Sequence, residues 1–237
     1  MKLDDAVVVV TGASSGIGRA AAVAFAERTD AVVLAARRRD ALEEVAKECA
    51  DRGARTLVVP TDASDHEQMQ ALAQRAIETF GRIDVWVNNA AVTMFARIED
   101  APMDQYRRVI ETNLLGYVHG ARAALPVFRA QGQGVLVNVG SVVSRVPETG
   151  TSAYVVSKWG ILGLTECLQL ETADAKDIHV TAVLPASTDT PLFHNAANHT
   201  GHAIQPIPPV AALWKSGVSV EAGSTACLLY TSDAADE

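Results

Sequence analysis

The sequence predicts an α/β chain, one domain built on a doubly wound parallel sheet. Three observations carry that expectation. Short runs of β-branched residues alternate with longer Ala-rich segments of helical period, the pattern of a parallel sheet covered on both faces by helices. The 237 residues, 49% hydrophobic and 20% charged, suffice to bury one large core but not to build two comfortable domains. No internal repeat or low-complexity linker divides the chain.

Taken in order, strands are expected near residues 6–11, 31–36, 56–59, 83–87, 134–139 and 179–184, with helices between them at 16–28, 41–52, 65–80, 103–130 and 153–172. Ser64 followed by Glu67 fits a capping box for the third helix, each side chain satisfying an orphan backbone donor of the first turn. Gly53 and Gly81 stand where helix stops are expected. Pro206, Pro208 and Pro209 break regular structure after the last clear strand.

Composition excludes several function classes. A net charge of -8 and a pI near 5.2 offer no basic face to a polyphosphate backbone, so nucleic acid is not an expected partner. No apolar run reaches membrane-spanning length, and the apolar stretch after Met-Lys-Leu-Asp-Asp is too brief for a secretory signal, which places the chain in the cytoplasm. Cys49, Cys167 and Cys227 are odd in number and far apart, which suits free thiols in a reducing compartment.

Thr11-Gly12-Ala13-Ser14-Ser15-Gly16-Ile17-Gly18 joins the first strand to the first helix. Glycines there allow a tight turn and close backbone approach, and the helix N-terminus offers N–H groups and partial positive charge to a pyrophosphate. The Gly-x-x-x-Gly-x-Gly spacing is wider than the usual dinucleotide fingerprint, and alone it is matched by an ordinary glycine turn. About twenty residues on, where an acidic side chain would bind the 2′-hydroxyl of NAD, stand Ala36, Arg37, Arg38 and Arg39. That favours NADP(H), with NAD(H) left open; the alternative is a solvated helix entrance. Asp62, past the third strand, fits either an acceptor for the adenine amino group or a turn aspartate.

Tyr154 and Lys158 lie four apart on an expected helix, hence on one face. Ser141 at the end of the fifth strand and Asn113 in the preceding long helix can converge with them at the carboxyl ends of the strands, where open α/β sheets bind ligands. A tyrosine acting as a base near neutrality needs its pKa lowered by about three units, roughly 4 kcal/mol. A neighbouring ammonium and a positive nicotinamide are the expected sources.

With these motifs in this order, and with Asn88-Asn89-Ala90 among them, the chain from about residue 3 to residue 192 resembles the short-chain dehydrogenases/reductases (SDR), enzymes of Rossmann fold. The resemblance implies an oxidoreductase that moves hydride between NAD(P) and the carbon of a small alcohol or ketone. It makes Tyr154 the general acid/base, Ser141 the group that polarises the substrate oxygen, and Lys158 the holder of the nicotinamide ribose. Asn113 would hold a relay water, Asn89 would line the adenosine side, and Thr188 would meet the carboxamide. The family's usual glycines are replaced by Ala91 and by Ala186 after Pro185, each adding one methyl. The family's dimers and tetramers imply a homodimer or homotetramer for the full-length chain, with the helices at 103–130 and 153–172 pairing across a two-fold axis and Ala121, Ala123 and Ala124 permitting close approach.

Other signals carry less. His194, His199 and His202 invite a metal reading, but no carboxylate or thiol accompanies them and they fall where the family has its substrate lid, so no metal is expected. His66, His119 and His179 read as surface or packing residues, and Trp86 as core. Residues 227–237 do not resemble the family's closing strand and helix; one back-translation resembles a sequencing adapter. The expectation is therefore a catalytic domain at 1–226 with an artefactual tail, lacking the last strand of its sheet and leaving 180–184 as a bare edge. Two competing readings are a non-catalytic dinucleotide sensor and an inactive fragment.

Overall fold

A computed structural model describes residues 3–188, 190–202 and 227–230. Its first strand, β1 (Val7–Thr11), is four valines and a threonine, all buried. Successive strand residues point to opposite faces. Val7 and Val9 accordingly join an apolar cluster with Met69 and Leu72 of α3 (His66–Phe80) and Phe128 of α5 (Gly116–Gln131). Val8 and Val10 join another with Ala22 of α1 (Gly16–Ala26) and Leu42 and Val45 of α2 (Arg39–Ala50). Each buried valine contributes about 1.5 to 3 kcal/mol, and a strand without polar alternation is stable only when covered on both sides.

The remaining strands are β2 (Ala31–Ala36), β3 (Arg55–Pro60), β4 (Val85–Asn88), β6 (Gly134–Val139) and β7 (Ile178–Pro185). They assemble in the order β3-β2-β1-β4-β6-β7, every pair parallel. The α/β, doubly wound parallel sheet of a Rossmann fold is thus what the chain forms. The order reverses between β1 and β4, and such a switch point opens a crevice at the carboxyl ends of the strands. Gly81 closes α3 in the left-handed conformation at φ 80, and Gly53, three residues past α2, lies at φ 97.

Several expectations need correction. The helix expected at 103–130 is three pieces: α4 (Met103–Ile110), one π-helical turn (Glu111–Leu115) and α5. The break centres on Asn113, whose side chain is drawn inward to hydrogen-bond a distant backbone. The cap of α3 is Asp65, not Ser64: its carboxylate accepts from the Gln68 N–H at 3.1 Å, and the Gln68 side chain accepts from the Asp62 N–H at 2.9 Å. Ser64 instead donates to Asp62 at 2.7 Å. Ala121, Ala123 and Ala124 face the core rather than a partner, at 3% exposure or less, because this side of α5 packs on the sheet.

At the far edge no further parallel strand follows β7 among the described residues, but that edge is not bare. Ala182–Pro185 pair antiparallel with Cys227–Tyr230 (β9), because an extended apolar segment can satisfy an edge strand's unpaired backbone groups. Pro206, Pro208, Pro209 and residues 231–237 lie outside the described residues.

A small ribbon was not expected from the sequence. β5 (Met94–Phe95) pairs parallel with β8 (Ala197–Asn198), which follows the short helix α7 (Pro191–His194). The Ala96 N–H donates to Gly150 O at 2.9 Å, tying this ribbon to the loop that enters α6 (Ser152–Glu171). Among the described residues no helix is long and apolar enough to cross a membrane.

Candidate active site

The crevice at the switch point is a cavity of about 590 Å³, lined by the glycine-rich turn, the ends of β2 and β3, residues 89–93 and the segment around α7. Three glycines shape its floor. Gly12 and Gly16 have φ of 66 and 55, a region open to glycine at little cost. A methyl at Gly18 would lie 2.3 Å from Gly12 O and 2.4 Å from Asn89 Nδ2, so only glycine lets α1 pack this closely on the turn. Ser15 caps α1 without a side-chain hydrogen bond, leaving the first-turn N–H groups for another acceptor. Ser14, Ser15 and Ile17 also line the cavity. A backbone cradle at a helix N-terminus fits a pyrophosphate.

Asn89 supports the turn from behind. Its Nδ2 donates to Thr11 O at 2.9 Å and Gly12 O at 3.3 Å, while its own N–H and that of Ala90 donate to Thr11 Oγ1. Both amide protons are spent on the loop, so its side chain shapes the cradle. Arg37 and Arg38 line the cavity at the end of β2; both are exposed, and neither pairs with a carboxylate among the described residues. Asp62 lines it too, with Oδ1 accepting from the Ser64 N–H and hydroxyl at 3.0 and 2.7 Å. It is a turn aspartate, with no hydrogen bond to its Oδ2 among the described residues.

Outside the lining of that cavity, the structure brings Ser141, Tyr154 and Lys158 together. Ser141 follows β6 and opens a short 3-10 turn (Val142–Ser144); its Oγ accepts from Val143 N at 3.3 Å, and its N–H donates to Ser144 Oγ at 3.2 Å. Tyr154 is in the first turn of α6, with its phenol close enough to Ser141 for that hydroxyl to act on it. One helical turn on, Lys158 is 2% exposed and donates to Val139 O at 2.7 Å, with Nζ 5.5 Å from the Tyr154 ring centre.

Asn113 is fully buried and does something the sequence did not disclose. Its Oδ1 accepts from Val92 N at 2.8 Å, and its Nδ2 donates to Val92 O at 2.9 Å and Ser157 Oγ at 3.1 Å. Ser157 passes the contact on, donating to Tyr154 O at 2.7 Å. Both amide protons are thus engaged, which leaves no side-chain donor for a relay water. The Asn113 side chain splices the segment after β4 to the helix that bears Tyr154, and the π turn aims it there.

The electrostatics differ from the sequence expectation. Burial pushes the Tyr154 phenol up to about 12; the Ser141 hydrogen bond opposes this and the Glu148 carboxylate adds to it. Burial pushes the Lys158 ammonium down to about 7. The chain alone therefore holds Tyr154 protonated rather than lowering it, because desolvation outweighs the help of its neighbours.

Thr188 is not part of the cavity lining, and its hydroxyl donates to Ala186 O at 2.9 Å; from this segment Thr190, Pro191, Leu192 and Asn195 provide the lining. His199 Nε2 lies 2.9 Å from Gln105 Oε1, fastening the segment after β8 to α4. His66 and His119 pack ring against ring at 5.3 Å, and His179 is exposed. Trp86 is fully buried, its Nε1 donating to Asn88 Oδ1 at 2.8 Å. Asn88 continues to Asn138 Oδ1 at 3.0 Å, and Asn138 to Thr165 Oγ1 at 2.9 Å, a buried chain that locks β4, β6 and α6 beneath the site. Sequence reasoning missed Asn138, Thr165, Ser157 and Tyr117; an asparagine inside the run Val137-Asn138-Val139 was the one visible hint.

Comparison with known proteins agrees with this geometry. The family model described as short chain dehydrogenase matches residues 6–201. The uncharacterized oxidoreductase YxnA of Bacillus subtilis (strain 168) is 38% identical over 200 residues, 84% of this chain, while the chain spans only 56% of that relative's length. An alcohol dehydrogenase from the archaeon Thermococcus sibiricus, complexed with 5-hydroxy-NADP, superposes with a TM-score of 0.76 at 31% identity, covering 82% of this chain and 81% of that one. A short chain dehydrogenase/reductase from Burkholderia phymatum in complex with NAD superposes with a TM-score of 0.79 at 29% identity, covering 91% and 78%. With a family match across most of its length, the chain belongs to the short-chain dehydrogenases/reductases and is an oxidoreductase.

Proposed function

We propose that the chain interconverts a small secondary alcohol and its ketone at Tyr154, using a nicotinamide dinucleotide held against the glycine-rich turn. The observation that carries this reading is the Ser141 hydroxyl acting on the Tyr154 phenol, with the buried Lys158 Nζ 5.5 Å from the Tyr154 ring centre, in a fold that also holds a glycine-shaped cavity. The dinucleotide, when bound, supplies the hydride acceptor or donor. Gly12, Gly16 and Gly18 admit its pyrophosphate to the N-terminus of α1, and Asp62 Oδ2 accepts from its adenine. In alcohol oxidation Tyr154 Oη takes the hydroxyl proton; in ketone reduction it returns one. Ser141 Oγ donates to the substrate oxygen. Lys158 as an ammonium stabilises the tyrosinate, and a positive charge arriving with the cofactor lowers the phenol further.

NADP(H) is the proposed cofactor. Among the described residues neither Arg37 nor Arg38 pairs with a carboxylate, and at the end of β2 Arg37 can meet a 2′-phosphate in a charge-assisted hydrogen bond. The alcohol dehydrogenase from Thermococcus sibiricus holds an NADP derivative, whereas the Burkholderia phymatum protein holds NAD. Replacing Arg37 with Ala should narrow or reverse the ratio of dissociation constants; a ratio that favours NAD from the start, or one unmoved by the substitution, refutes the assignment. A second copy is the proposed partner: Leu115, Val156 and Trp159 are exposed apolar side chains along the π turn and α6.

Tyr154→Phe tests the central reading. It removes one hydroxyl and keeps the packed ring, so turnover should fall by about 10² to 10⁴ while cofactor affinity stays within about threefold. Retention of more than about a tenth of the rate would remove Tyr154 from the mechanism.

A further inference from the structure

Lys158 is held in a place where water cannot solvate its charge, and burial weakens its ammonium accordingly. An ammonium at this position depends on acceptors that the fold itself supplies. The Val139 carbonyl accepts from Nζ at 2.7 Å, and the same carbonyl accepts from the Tyr117 hydroxyl at 2.9 Å. Because Tyr117 spends its proton on Val139, its oxygen lone pairs remain for Nζ, 3.5 Å away. The ring contributes as well: Nζ stands 5.3 Å from the Tyr117 ring centre and 5.5 Å from that of Tyr154. Both fall inside the ~6 Å range over which an aromatic face attracts a cation.

Tyr117 is placed firmly enough to do this. It is 1% exposed, and its own backbone carbonyl accepts from Asn88 Nδ2 at 3.2 Å, in the first turn of α5 directly after the π turn. Burial, with a smaller effect from Tyr154, keeps its phenol well above the ordinary range, so it stays a neutral dipole while Lys158 titrates. A phenylalanine would fill the same volume. The hydroxyl is what calls for an explanation.

We propose that Tyr117 is a positioning residue for Lys158, holding the buried ammonium charged and fixed between two tyrosine rings through the shared Val139 carbonyl. The inference rests on the reading of Lys158 as the cation that favours a tyrosinate at Tyr154. The other titratable groups at this spot are Tyr154 on α6 and Glu148, whose charge reaches Tyr154 from the loop before that helix.

The test is an NMR titration of the full chain labelled with ε-¹³C lysine, which needs neither substrate nor turnover. There are five lysines, and Lys158 is identified by the resonance lost in Lys158→Met. Tyr117→Phe adds no atom and keeps the ring; it should lower the Lys158 midpoint by about half to one pH unit, the loss of a weak hydrogen bond to a charged group. Tyr117→Leu, which also removes the ring, should lower it further. As a second readout, the pH at which alcohol oxidation declines through loss of the ammonium should fall in step. A Lys158 midpoint unchanged in Tyr117→Phe, with only the melting temperature reduced, would make Tyr117 a packing residue and overturn the proposal. A midpoint that falls while the pH profile stays put would uphold the role of Tyr117 and instead overturn the catalytic reading of Lys158.

Discussion

Replacing Asn113 with Ala should destabilise the fold as well as slow the enzyme. The amide makes three hydrogen bonds, at 2.8, 2.9 and 3.1 Å, and two of them are to both backbone groups of one residue, Val92. Alanine leaves the Val92 N–H and C=O without those partners, whereas Ser157 keeps its bond to Tyr154 O. Each buried polar group left unpaired costs about 1 to 3 kcal/mol. Val92 is half-buried, so water recovers part of that and the expected loss is about 2 to 4 kcal/mol. Set against the roughly 5 to 15 kcal/mol that holds a typical domain, this is a large fraction. Equilibrium urea unfolding of the full chain and the variant, compared at equal slope, reads it directly. A loss below about 1 kcal/mol, with turnover still slowed, would show that Asn113 serves the reaction alone and that the splice to Val92 carries no weight.

Gly18→Ala should all but abolish cofactor binding and lower stability, because the added methyl would lie 2.3 Å from Gly12 O, a backbone atom that cannot step aside; calorimetric titration showing wild-type affinity would refute it. Glu148→Gln should move the pH profile of alcohol oxidation to lower pH. The Glu148 charge raises the Tyr154 phenol, the reaction needs the tyrosinate, and removing the charge lets that base form earlier. A limb that stays in place, or shifts upward, would contradict the electrostatics described for the site.

The features that were legible in the sequence are those set by neighbours a few residues away. Four consecutive valines at 7–10 require a strand buried on both faces, and Gly12, Gly16 and Gly18 require a tight approach of the backbone. Tyr154 and Lys158, four apart, must share a helix face. Each of these survives in the structure without adjustment. The misplaced features depend on contacts from afar. The π turn at 111–115 is held by Val92, twenty-one residues upstream of Asn113, so the periodicity of residues 103–130 reads as one unbroken helix. Two-residue strands such as Met94–Phe95 are too short to show any period, and their partner lies a hundred residues on. The alanines of α5 look suited to a close subunit contact, but small residues fit a helix against its own sheet equally well.

The same division runs through the site itself. The groups proposed to react are side chains, and Ser141, Tyr154 and Lys158 could be named from their types and spacing. The groups that hold them are largely main-chain atoms: Val139 O anchors Lys158, Val92 N and O anchor Asn113, and Tyr154 O receives Ser157. A backbone carbonyl has the same chemistry whatever residue bears it, so no residue type announces its role. A search confined to reactive residue types therefore passes over Tyr117, whose importance comes from sharing the Val139 carbonyl with a buried cation.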